Sequence, residues 1–136
     1  MAQPGFLNAS LLVAAGGGLG AWARYGTGVV LGRMGASTAH FPWSTLAVNV
    51  AGSLLMGLLA GWLARHGTGG ETWRLLLGVG VLGGFTTFSA FSLDTALLVE
   101  RHAYGLAAGY AVGSVAASVS ALFFGLSVFR GHPHLP

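Results

Sequence analysis

The sequence predicts an all-α membrane protein with four transmembrane helices per subunit. Four apolar segments can be drawn, each holding at least the ~20 residues that cross a ~30 Å hydrocarbon core. Of the 136 residues, 54% are apolar and only 7% are charged, whereas a soluble domain carries about 25% charged residues. With a mean hydropathy of +0.73, the chain lacks a surface able to face water. Trp43, Trp62, Trp73 and Tyr104 fall at segment ends, as aromatics of the membrane interface do.

The first segment runs roughly over residues 7–31. No basic residue precedes it in 1–8, so it is expected to stay rather than be cleaved as a signal peptide. Its one internal charge is Arg24. A charge at membrane depth faces a bundle interior or water, or snorkels to the interface, and both readings stand.

The second segment, 43–63, carries Asn49 about a third of the way in. A buried amide serves as glue between helices, and its NH2 can equally donate to an anion.

The third segment, 73–99, is apolar enough to span, yet residues 83–92 at its centre read GGFTTFSAFS. Two glycines, two β-branched threonines and two serines make a poor helix in the one solvent that cannot repair broken backbone hydrogen bonds. The segment therefore predicts a third helix broken at mid-membrane. Irregular backbone at that depth is tolerated only where protein buries it or where it lines a cavity, and in transporters it often marks an ion site. Phe88 and Phe91 share a helix face there; such rings usually pack, but their electropositive edges can also meet a small anion. Asp94 lies off-centre and is expected to pair with an arginine, Arg24 or Arg101, while Glu100 belongs to the following loop.

On the fourth segment, 104–129, Tyr110, Ser114 and Ser118 recur at i, i+4 and i+8. That spacing gives one hydroxyl stripe. The serines can satisfy their own i−4 carbonyls or line a wet track. The connections 32–42, 64–72 and 100–103 are short, and the tail 131–136 is too short to fold, so residues 1–136 are expected to form a single four-helix transmembrane domain.

Several functions are excluded. The net charge is +3 and the isoelectric point about 10.2, but the six arginines are scattered singly, so no stripe exists for nucleic acid. Zero cysteines remove disulfides and thiolate chemistry. The five histidines lie in loops or the tail with no helix-spaced carboxylate, against a side-chain metal site. No nucleophile–base pair appears, and no enzyme is expected.

Assembly is also legible. Glycines fall four apart at 16/20, 28/32, 57/61, 80/84 and 105/109/113, a spacing that lets helix backbones approach closely. So many pairs exceed what one small bundle needs and predict a homo-oligomer. If the N-terminus shares a side with the 64–72 loop and the tail, that side holds Arg65, Arg74 and Arg130. The other holds Arg33 and Arg101, with Arg24 deeper. Fixed topology normally rests on a clear positive excess on one side. Near balance predicts insertion both ways, and hence an antiparallel dual-topology homodimer.

The run GGFTTFSAFS, the upstream GGGLGAWARYG and NVAGSLLMG around Asn49 resemble the Fluc family of fluoride channels, also called CrcB proteins. The resemblance covers essentially the whole chain. It implies a multi-pass protein of the cell (inner/plasma) membrane that exports fluoride passively through two pathways per antiparallel homodimer. It also implies a structural sodium ion at the dimer interface, held by the backbone carbonyls of Gly83 and Thr86 from each subunit. Phe88 and Phe91 resemble the ring-edge contacts of each pathway, Asn49 the asparagine at a pathway entrance, and Tyr110, Ser114 and Ser118 its polar track. Arg24 resembles the vestibule arginine. Ala90, where many members carry Thr, is the visible departure.

Two rivals remain at this level. A small dual-topology cation exporter would need a membrane-embedded carboxylate, and only the off-centre Asp94 is present. A non-transporting assembly subunit would leave the helix break and the hydroxyl stripe without a purpose.

Overall fold

In a computed structural model, residues 4–35, 40–66 and 70–130 are described. The expectations placed on loop residues 36–39 and 67–69 and on the tail 131–136 lie outside them. Every regular element among the described residues is helical: α1 (Phe6–Arg33), α2 (Trp43–His66), α3 (Gly70–Trp73), a π-helical stretch (Arg74–Leu82), α4 (Gly83–Phe85), α5 (Phe88–Glu100) and α6 (Tyr104–Arg130). The pieces from α3 to α5 make up the third span, and four helical spans are long and apolar enough to cross a membrane. Each begins or ends within a few residues of the expected bounds, generally running longer. Cooperative helix growth explains this, since a helix continues into the interface until something stops it.

Those stops are identifiable. Gly35 has φ +82° and its N–H reaches the Gly32 carbonyl at 3.2 Å, an αL ending that glycine adopts without strain. At the end of α5, His102 N–H donates to the Val99 carbonyl (2.9 Å) and Ala103 N–H to the Leu98 carbonyl (3.0 Å). This is a Schellman ending, with His102 at φ 58° in the position that glycine usually takes.

Glycine sets the helix register. A Cβ on Gly16 would strike the Leu76 carbonyl, and one on Gly20 the Val81 carbonyl, so α1 lies in backbone contact with the third span and parallel to it. Likewise Gly57 meets the Leu122 carbonyl, and Gly61 meets Phe129 and the Leu126 carbonyl. α2 and α6 therefore also run parallel. Such close approach is how helices associate where lipid removes the hydrophobic drive.

The π-helical stretch was not expected from the sequence. Its i→i−5 bonding continues to Gly83, whose N–H donates to the Gly78 carbonyl. Runs of π-helix this long are rare and tend to occur at functional sites.

The buried core is small. Leu98, Ala107 and Tyr110 form its centre, with Phe41, Leu46, Phe91 and Ala103 against it. Many large apolar side chains point outward, including Trp22 (72% exposed), Phe88 (77%) and Val112 (70%). A surface of this kind needs lipid or another protein surface to cover it.

Candidate functional site

The third span loses its helical path at two residues. Thr86 (φ −75°, ψ 157°) and Thr87 (φ −152°, ψ 115°) are extended. The helix is intact through Phe85 and resumes at Phe88, so the irregular segment is far shorter than residues 83–92. Propensity is a weak prior that packing overrides, and the contacts of Gly84 with Gly17 and of Gly80 with Gly16 show where that packing comes from.

The backbone N–H and carbonyl of both extended residues have partners. Asn49 Nδ2 donates to the Thr87 carbonyl at 3.0 Å, while Thr87 N–H donates to Asn49 Oδ1 at 2.8 Å. Arg24 Nη1 donates to the Thr86 carbonyl at 3.3 Å. Thr86 N–H and its hydroxyl both return to the Leu82 carbonyl, at 3.0 and 2.9 Å. Thr87 Oγ1 caps α5 by accepting from Ala90 N–H at 3.2 Å. An unpaired backbone group in lipid costs several kcal/mol, so Asn49 and Arg24 are what allow the chain to be extended here.

The interruption opens onto a cavity of about 360 Å³. Asn49, Thr86, Phe88, Phe91, Ser114 and Ser118 all line it, so the tertiary structure gathers six of the nine residues singled out from the sequence. Ser114 is 5% exposed and its hydroxyl makes no hydrogen bond of good geometry among the described residues. Phe88 and Phe91 lie with ring centroids 5.5 Å apart, and Phe91 leans on Tyr110 at 5.4 Å.

The other three stand at its margins. Tyr110 is buried behind Phe91 rather than in the lining, and its hydroxyl donates to Asp94 at 3.4 Å. Arg24 faces the bundle through Thr86, not the interface. Gly83 is exposed on the protomer surface; the N–H of Thr87, which would bond the Gly83 carbonyl in a continuous helix, goes to Asn49 instead.

Asp94 Oδ2 accepts from Thr45 Oγ1 at 2.6 Å and from Tyr110, and of the two arginines expected for it Arg24 bonds Thr86 instead. Arg24 is drawn to the carbonyl at the break because an otherwise unpaired backbone acceptor lies within its reach. Ser53, Gly52 and Met56 also line the cavity and were missed. The spacing of Thr45, Asn49 and Ser53 was the available signal, being the same i, i+4, i+8 stripe as on α6. Gly52 has a different reason: a Cβ there would meet the Thr86 side chain.

Among the described residues no group of three His, Asp or Glu is placed to hold a metal. Carbonyl oxygens at the break are a different kind of donor and suit a hard cation.

Residues 11–126 match the family described as CrcB-like protein, Camphor Resistance (CrcB). The chain is 62% identical over 125 residues to the fluoride-specific ion channel FluC of Novosphingobium aromaticivorans, covering 92% of this chain and 98% of that one. It is 59% identical over 126 residues to FluC of Phenylobacterium zucineum (91% and 97%), and 55% over 125 residues to FluC of Caulobacter vibrioides (91% and 97%). A family match across most of the chain, together with relatives this similar along nearly their whole length, means that the chain is a multi-pass membrane protein of the CrcB family, a family of fluoride-specific ion channels rather than enzymes.

Proposed function

We propose that this chain conducts fluoride passively out of the cytoplasm across the inner membrane, as an antiparallel dual-topology homodimer with two pathways. The observation that carries this reading is the cavity beside Thr86 and Thr87, with the buried Ser114 hydroxyl, which makes no well-formed hydrogen bond among the described residues, in its wall. A buried hydroxyl without a partner needs something to donate to. An anion supplies it.

Only one amide hydrogen of Asn49 is engaged with Thr87; the other remains to be given to an anion. The edges of Phe88 and Phe91 offer weak positive charge, and the serines offer rotatable O–H groups. Together these replace the water that fluoride sheds on entry. Fluoride enters cells as neutral HF and is trapped as the anion after dissociation. An inside-negative potential then expels it with about 2.3 kcal/mol per charge per 100 mV, without an energy source.

The homodimer reading is supported by unused surface. Gly28, Gly32, Gly105, Gly109 and Gly113 meet nothing within 4 Å in the protomer, and Phe88 is largely exposed. The carbonyls of Gly83 and Thr86 would hold the structural sodium of such a dimer. Gly83 suits this, being exposed and outside the bonding of Thr87; Thr86 would share its oxygen with Arg24. When bound, the ion would neutralise carbonyl dipoles brought together from two subunits.

Fluoride efflux from liposomes containing the purified protein tests the proposal. Efflux should appear when valinomycin and potassium compensate charge and stop when they are omitted. Absence of valinomycin-dependent efflux would overturn it.

A further inference from the structure

The register of α2 on α6 assigns a partner to a residue outside the pathway described so far. Gly57 touches the Leu122 carbonyl, and one turn on Gly61 meets Leu126. Stepping back one turn at a time along both parallel helices pairs Ser53 with Ser118, Asn49 with Ser114, and Thr45 with Tyr110. The last pair is seen directly, since both hydroxyls donate to Asp94 Oδ2. Asn49, Ser53, Ser114 and Ser118 all line the cavity.

Several other hydroxyls in the spans are spent on their own helices. Thr27 donates to the Ala23 carbonyl, Ser92 to Phe88 and Thr95 to Phe91. Ser53, Ser114 and Ser118 make no such bond among the described residues. Beyond Ser53 and Ser118 the lining turns to Met56, Val119 and Leu122, and at Gly57 the two backbones meet. Ser53 and Ser118 are thus the last polar level of the lining before an apolar stretch.

We propose that Ser53 contacts the permeating anion, forming with Ser118 a two-hydroxyl site for a small, strongly hydrated anion at the apolar end of the cavity. This rests on the channel reading above and extends it from one helix to two. Two rotatable O–H donors at the same level of two helices held together by glycine contact can both turn toward one small ion. They replace two of its waters, and a larger anion would force the helices apart.

The test compares fluoride and chloride flux in liposomes for the wild-type protein, Ser53→Ala and Ser53→Thr, each checked as an intact assembly by size exclusion. Loss of one hydrogen bond to a charged partner corresponds to roughly a tenfold or greater effect. Ser53→Ala should lower fluoride flux by about that factor and reduce the fluoride-to-chloride ratio, whereas Ser53→Thr, which keeps the hydroxyl, should restore both. Wild-type flux and selectivity in Ser53→Ala would overturn the assignment while leaving the channel standing, as would equal losses in Ala and Thr variants. A wild-type protein that does not conduct fluoride would remove the channel reading itself.

Discussion

Asn49 and Thr87 form a closed pair of hydrogen bonds. The amide of one helix both gives to and receives from the backbone of a single residue in another, at 3.0 and 2.8 Å. An amide is the smallest neutral side chain with a donor and an acceptor side by side, and only that combination satisfies both polar groups of an extended residue. The position of Asn49 on α2 therefore determines where α5 can begin.

Substitution at Asn49 should affect fold and flux together. Asn49→Asp keeps the acceptor for Thr87 N–H but sets a carboxylate against the Thr87 carbonyl and repels anions. Asn49→Ala leaves two backbone groups unmet, at about 1–3 kcal/mol each. Both should lower the thermal midpoint in detergent and abolish most fluoride efflux. A variant that keeps full stability and flux would show that the pair is dispensable.

Phe88 and Phe91 should separate by role. Phe88 is 77% exposed, so Phe88→Ile should cut fluoride flux while leaving protomer stability nearly unchanged. Phe91 packs on Tyr110 and the core, so Phe91→Ala should cost about 3–5 kcal/mol as well as flux. Equal thermal midpoints for the two variants would contradict this division.

Asp94 distinguishes a channel from a coupled exporter. Asp94→Asn keeps an oxygen for the Thr45 and Tyr110 hydroxyls, so valinomycin-dependent efflux should persist largely intact, without proton movement in the opposite direction. Asp94→Leu removes the acceptor and should destabilise the α2–α5–α6 junction by about 1–3 kcal/mol. Arrest of flux in Asp94→Asn alone would point to coupled transport.

His102 offers a stabilising change. A residue with a Cβ in the left-handed region is strained by about 1–2 kcal/mol relative to glycine, offset in part by the extra freedom glycine has when unfolded. Its ring also bonds Tyr104 at 2.9 Å, an exposed contact. His102→Gly should raise stability by up to about 1 kcal/mol, read as a higher thermal midpoint with flux unchanged.

Orientation can be read from one introduced cysteine. Met34 is 76% exposed at the end of α1, and no native cysteine competes. In Met34→Cys, a membrane-impermeant maleimide should reach about half the sites from each side of the membrane, because the arginines give little orienting bias. Labelling from one face only would exclude dual topology.

Four helical spans were legible in composition because lipid leaves the backbone no other way to satisfy itself. Most of the site was legible as residue types too, since few polar side chains occur in the spans and each must have a reason to be there. Their partners were not. Arg24 turning to Thr86, Asp94 meeting Thr45 and Tyr110, and the π-helical stretch beside α1 all depend on which helix lies alongside which. Ser53 went unnoticed for the same reason: one serine on an apolar helix says little until α6 sets Ser118 opposite it. Local pattern decides whether a segment spans, because burial in lipid acts on each helix separately. Pairing depends on glycine contacts between distant segments, such as Gly57 with Leu122 and Gly20 with Val81, and only the packed chain brings those together.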